Sequence, residues 1–186
     1  MFLKRILLVC LLLAISLPAQ AQNEIIPVEG YSTQIGIMVF MLDDMKDRIS
    51  NDVKELSQEQ TDFLFDDKAN SIGAIIMHLI ATEAYYQTET LEGRPWTEEE
   101  KKLYATAGGL GAESRDGLKG KPIQYYLDLW DEVRKKSHKG LKEKDDEWFA
   151  QQIDEGINNH YVWYHVLEHA ASHMGQISLI NARLPE

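Results

Sequence analysis

Residues 32–56 read STQIGIMVFMLDDMKDRISNDVKEL. Within them Ile35, Met38, Met41 or Leu42, Met45, Ile49 and Val53 recur every three or four positions. That period places them on one face of an α-helix. Asp43, Asp44, Lys46, Asp47 and Arg48 fill the remaining positions, so the opposite face is expected to be solvated. Nothing in the chain alternates with period two over a useful length, and no sheet is expected.

Working outward, three more long stretches carry helix signals. Ser71 is a good N-cap for a second helix running to about Leu91. Pro122 suits the first position of a third, which carries Ile123, Tyr126, Leu127, Leu129 or Trp130, and Val133 inward. The fourth opens near Asn158 or Asn159 and ends near Leu184, before Pro185. Gly93, Pro95 and the run Gly108-Gly109-Leu110-Gly111 break the pattern between the second and third helices. Thr97 and the glutamates behind it announce a short helix between those breaks. Phe63, Leu64 and Phe65, in the connection 57–70, are expected to plug the end of the bundle. The fold class is therefore all-α, an antiparallel four-helix bundle around one core.

The first residues stand apart. Lys4 and Arg5 precede the apolar run from Ile6 to Leu17, and Ala19-Gln20-Ala21 is a small-x-small site. The run is short against the roughly 20 residues of a membrane span. Residues 1–21 are read as a secretory signal peptide cut after Ala21, which implies a secreted or periplasmic protein and a helical domain over 22–186. Cys10 follows Val9 inside the apolar run, which does not suit lipidation. It is the only cysteine, so the mature chain has no disulfide, no thiolate nucleophile and no cysteine ligand. The formal charge is -11, and it becomes more negative when Lys4 and Arg5 are removed. An acidic chain without a basic patch argues against nucleic acid and against anionic membranes.

The fourth stretch carries His165, His169 and His173 at i, i+4 and i+8. Residues four apart share a helix face, with Cβ atoms about 5–6 Å apart. Two such imidazoles can close on one metal ion, but the intervening Glu-x-x of a zinc-protease helix is absent from 169–173. A third ligand must come from another helix, and His78, a polar break in Ile75-Ile76-Met77-His78-Leu79, is the best candidate. The competing reading is three hydrogen-bonded core histidines. Aromatics near these positions (Tyr85, Tyr86, Tyr125, Tyr126, Trp130, Tyr161, Trp163 and Tyr164) either wall a pocket or fill the core and rim.

Two segments carry a family resemblance. Asn70-Ser71-Ile72-Gly73 with His78-Leu79 and Glu83 resembles the second-helix signature of the DinB/YfiT-like superfamily, N-S-I-G-x-x-x-x-H-L-x-x-x-E. His165-Val166-Leu167-Glu168-His169 with His173-Met174-Gly175-Gln176-Ile177 resembles its last-helix pattern, H-x-x-E-H-x-x-x-H-R-G-Q-I. The resemblance implies a four-helix bundle with one divalent metal on His78, His169 and His173, with His165, one turn earlier, either lining the pocket beside them or displacing one of the three. It implies zinc or nickel most readily, with iron or manganese left open. Three imidazoles leave coordination positions free, as in catalytic sites. The activity implied is a thiol S-transferase or thiol-dependent isomerase acting on a small molecule. A secreted protein would meet few low-molecular-weight thiols, which favours a metal-dependent hydrolase instead. The alternative is a non-catalytic module in which the metal is structural. A homodimer stays open. Glu83 is expected either to orient a ligand or to form an ion pair, and Gly175 to permit close helix approach. Met174 and Ser172 depart from the family pattern, which has Arg at the first position and often His at the second.

Overall fold

The computed structural model describes residues 24–185. The signal-peptide expectation for residues 1–21 lies outside them. Four long helices form the bundle. They are α1 (Thr33–Val53), α3 (Ile72–Tyr86), α6 (Ile123–Lys142) and α8 (Asn159–Asn181). The short helices are α2 (Gln58–Thr61), α4 (Glu98–Tyr104), α5 (Ala112–Gly117) and α7 (Asp146–Ala150). None of the helices among the described residues is long and apolar enough to cross a membrane.

The helix starts follow from their caps. Ser71 Oγ accepts from the Ala74 amide, and Asn158 Oδ1 accepts from the Tyr161 amide. Thr97 and Glu100 make a reciprocal capping box at α4. The last turns of α3 widen into a π-helical segment, Gln87–Leu91. The sequence reading missed α2, α5, α7 and a small antiparallel hairpin, β1 (Gln152–Asp154) with β2 (Ile157–Asn158). The expectation of no sheet is corrected by that hairpin, whose strands are too short to display a period.

In cross-section α8 packs on α1 and α3, and α6 packs on α3 and α1. The connection 92–122 returns along the bundle, so α3 and α6 run in the same direction. Gly73 faces Tyr126 near their starts, and Leu91 faces Gly140 near their ends. A Cβ on Gly73 would lie 2.9 Å from Tyr126 Cε2, so only glycine permits this approach. The pairs α3 with α8 and α1 with α6 are antiparallel: His78 meets His169, and Tyr31 at the start of α1 meets His138. Long crossovers of this kind are a standard variant of the four-helix bundle.

The core has two apolar clusters. One gathers Ile49, Val53, Ile72, Ile76, Tyr126 and Trp130 with Ile177 and Ile180. The other gathers Ile35, Met38, Val39, Leu42, Phe149 and Trp163. A polar layer lies between them along α1. Lys46 is buried and pairs with Asp131, and Asp43 accepts from Arg134, so two residues expected on the solvated face point inward. Phe63 packs on the first cluster, but Leu64 and Phe65 are exposed and plug nothing.

Candidate metal centre

His78 sits two turns into α3, and His169 and His173 lie one turn apart on α8. The antiparallel packing of those helices brings the three rings together. His169 Nε2 lies 3.1 Å from His78 Nε2 and 2.8 Å from His173 Nε2. The ring centroids are 4.6–5.1 Å apart. These three residues each offer a ligand atom within 4.8 Å of the others.

The outer ring nitrogens decide what the inner ones present. His78 Nδ1 donates to the Ala107 carbonyl at 2.7 Å. A carbonyl only accepts, so the neutral ring carries its proton on Nδ1 and leaves a lone pair on Nε2. His173 Nδ1 donates to Gln176 Oε1 at 2.9 Å, with the same consequence. His169 Nδ1 is buried and has no protein partner. Two bare lone pairs therefore face His169 Nε2, which can supply at most one proton between them. A cation satisfies all three at once. Metal–imidazole bonds of about 2.0–2.1 Å at tetrahedral or octahedral angles separate ligand nitrogens by about 2.8–3.4 Å. The separations of 2.8 and 3.1 Å fit that range closely.

Electrostatics favour the ligating form. Burial, followed by the neighbouring His173, His78 and His165, pushes His169 down to about 4. Burial also lowers His173, against the opposing hydrogen bond to Gln176. Neutral imidazoles are the form that binds metal, so protons compete little at neutral pH.

The other residues singled out in the sequence fall into place around this group. His165 stacks on His169 with centroids 5.4 Å apart and lies outside the converging three. Its Nδ1 donates to Glu168 at 2.8 Å. Glu83 does not orient a ligand. It is buried and bound by Arg134 Nε at 2.8 Å and Nη2 at 2.9 Å, Ser137 Oγ at 2.8 Å and Trp130 Nε1 at 3.0 Å. Burial would raise its carboxyl, but the Arg134 charge and these hydrogen bonds outweigh that and lower it. Gly175 is exposed, and a Cβ there would meet open space, so close helix approach is not its role.

His78 and His169 open onto a cleft of about 490 Å³ lined also by Thr82, Tyr85, Tyr86, Trp96 and His165, with His173 buried behind them. Of the aromatics weighed earlier, Tyr85 and Tyr86 wall this cleft, whereas Tyr126, Trp130 and Trp163 are core. Tyr125 and Tyr164 are exposed. Sequence reasoning missed Trp96, which the turn at Gly93 and Pro95 brings over the cleft, and the Ala107 carbonyl, which has no side-chain signature.

The family model described as MST, mycothiol-S-transferase, matches residues 38–184. No curated protein matches the chain. The crystal structure of a conserved protein from Enterococcus faecalis superposes with a TM-score of 0.61 at 15% identity. The match covers 78% of this chain and 93% of that one.

Proposed function

The chain belongs to the mycothiol S-transferase family of DinB/YfiT-like bundles, and from that premise we propose a metal-dependent transferase acting on a small molecule. In this reading His78, His169 and His173 hold one divalent ion through Nε2. The observation that carries it is the meeting of the three Nε2 atoms, two of them made lone-pair donors by Ala107 and Gln176.

When bound, such an ion supplies Lewis acidity, which favours the anionic form of a thiol or water and polarises a developing oxyanion. The protein does the rest. Ala107 and Gln176 fix the tautomers of their histidines. Tyr85, Tyr86 and Trp96 give the cleft apolar walls that limit water beside the reacting atoms. His165, with Nδ1–H held by Glu168, keeps Nε2 as a proton acceptor on a residue lining the cleft. The reaction class is S-transfer. The thiol gives up its proton, and its sulfur pair forms a C–S bond at an electrophilic carbon. The leaving group departs with the electrons of its broken bond and takes up a proton. Mycothiol, named by the family, is the first thiol to test.

A second reading uses the same centre for hydrolysis. The leader-like residues 1–21 support it, because an exported protein meets water everywhere and low-molecular-weight thiols rarely.

The test starts from protein lacking residues 1–21 and any His-tag, assayed for metal by plasma mass spectrometry beside a His169→Ala/His173→Ala variant. About one ion per chain is expected in the wild type and none in the variant. Metal-loaded wild type is then offered mycothiol and a bimane electrophile, and thioether formation is followed. Protein that takes up neither zinc nor nickel, with no change in melting temperature, overturns the metal reading. Metal uptake without thioether, but with turnover of ester or amide substrates, selects hydrolysis.

A further inference from the structure

Beside the cleft at the histidines, along the seam between α3 and α8, lies a second lobe of about 400 Å³. The two share Tyr85, Tyr86 and His165. The far lobe adds Tyr161 from α8, Glu89 from the π-helical turn and Asp154 from β1. Tyr85 and Tyr86 stand nearly perpendicular, with centroids 5.3 Å apart at 72°. Burial, then Glu89, Tyr85 and Tyr161, push the Tyr86 phenol up.

The charges of the lobe are one-sided. No lysine or arginine lines it, and among the described residues neither Glu89 nor Asp154 has an ion-pair partner. A neighbouring lobe on the other side of Tyr85 does contain cations, Arg94 and Lys101. Both are already engaged. Arg94 forks onto Glu100 at 2.7 and 2.9 Å, and Lys101 meets Glu98 at 2.7 Å. Among the described residues the groove is thus lined by tyrosine rings, the aliphatic Ile153, Ile157 and Val162, and carboxylates, with no unpaired lysine or arginine. The turn that carries Glu89 is firmly built: the buried Gln87 amide donates to Val133 O at 2.9 Å and Ser137 Oγ at 3.0 Å. π-Turns of this kind recur at functional sites.

We propose that the lobe formed by Tyr85, Tyr86, Tyr161, Glu89 and Asp154 is a subsite for an organic ammonium group. The small molecule handled at the three histidines then carries a positively charged nitrogen at the end remote from its reacting atom. A weakly hydrated alkylammonium is attracted by the negative faces of tyrosine rings and by the carboxylates beside them. An anionic end group would meet the like charges of Glu89 and Asp154. The choice of substrate end rests on the histidine centre being the reacting end; the subsite itself does not.

Choline and 3,3-dimethyl-1-butanol have nearly the same shape and differ in charge, so they are the probes. Calorimetric titration of metal-free and metal-loaded protein with each gives the preference directly. Choline is expected to bind about tenfold tighter than the alcohol, with or without metal. The preference should disappear in Glu89→Gln/Asp154→Asn and shrink in Tyr161→Leu. All three positions are exposed, so these variants should melt with the wild type. Equal binding, no binding of either probe, or a preference that survives Glu89→Gln/Asp154→Asn overturns the subsite. A protein that fails to take up metal but still prefers choline overturns only the metal reading.

Discussion

A histidine can ligate a metal through either ring nitrogen, and the partner of the other nitrogen makes the choice. Gln176 makes it for His173 through a 2.9 Å hydrogen bond from Nδ1. Gln176→Leu removes the acceptor at an exposed position, so folding should survive while zinc affinity falls about 10- to 100-fold, as expected for an outer-shell partner. Competition against a chromophoric chelator measures it, and unchanged affinity would discard the role given to Gln176. His169 supports a prediction about acid. Its folded pKa, about 4, lies below its ordinary value of 6.5, so between these values the unfolded chain binds more protons. Metal-free protein should therefore lose stability as pH falls from 6.5 towards 4. In His169→Asn that slope should flatten, as read by urea midpoints across the window. The residues themselves were legible to different degrees. His169 and His173 advertise a shared face by their spacing, and His78 by interrupting an apolar run. The Ala107 carbonyl was invisible because every residue has one. Gly175 misled because glycine is read as close approach, and only neighbours in space decide that.

Among the elements, the connection between α4 and α5 has the most direct hold on the centre. The Ala105–Ala107 turn presents the carbonyl that orients His78. Ser114, fully buried, lies with Oγ 2.7 Å from Thr106 O and 2.5 Å from Gly109 O, and Gly111 N donates to Asn70 Oδ1 at 3.1 Å. One hydroxyl proton serves the two carbonyls, so Ser114→Ala leaves both short of a donor. It should cost about 1–3 kcal/mol of stability. It should also shift the visible spectrum of cobalt-loaded protein, because the His78 ring loses its fixed support. A stability loss with an unaltered spectrum would separate the turn from the centre. Elements with local signals were readable: Ser71, Thr97 and Asn158 cap helices as their side chains suggest. The two- and three-residue strands of the hairpin fall below any window in which a period can be seen. The shared direction of α3 and α6 depends on where the chain from 92 to 122 returns, which no local pattern encodes.

At the scale of the molecule, the polar layer between the two apolar clusters shows how strongly burial and pairing depend on each other. Arg134 and Glu83 are 7% and 1% exposed. The guanidinium forks onto Glu83 and reaches Asp43 at 2.9 Å, and Asp43 in turn accepts from His138 at 2.9 Å. The layer crosses α1, α3 and α6, so it fixes their register as well as neutralising itself. Its legibility was partial: Glu83 belonged to a recognisable signature, but Arg134 is followed by Lys135 and Lys136, and nothing local marks it as buried. Breaking the pair by Arg134→Met leaves a carboxylate in the core without its cation and should cost about 3–5 kcal/mol at neutral pH. Acid should change that difference in a defined direction. In the wild type the Glu83 carboxyl lies below its ordinary 4.5, so the stability it contributes is present above 4.5 and is lost as pH falls below it. Without Arg134, burial is opposed only by the hydrogen bonds from Ser137 and Trp130, so the Glu83 pKa rises relative to the wild type, and protonation then relieves the variant as the medium becomes acidic. The stability gap between wild type and Arg134→Met should therefore be widest at neutral pH and narrow as pH falls, first as the variant's raised carboxyl takes up its proton and then below 4.5 as the wild type loses its own contribution. Chemical denaturation of both proteins across that range measures the gap. A gap that stays constant would mean that Glu83 is already neutral in the folded protein, and that the layer is held by hydrogen bonds rather than by charge.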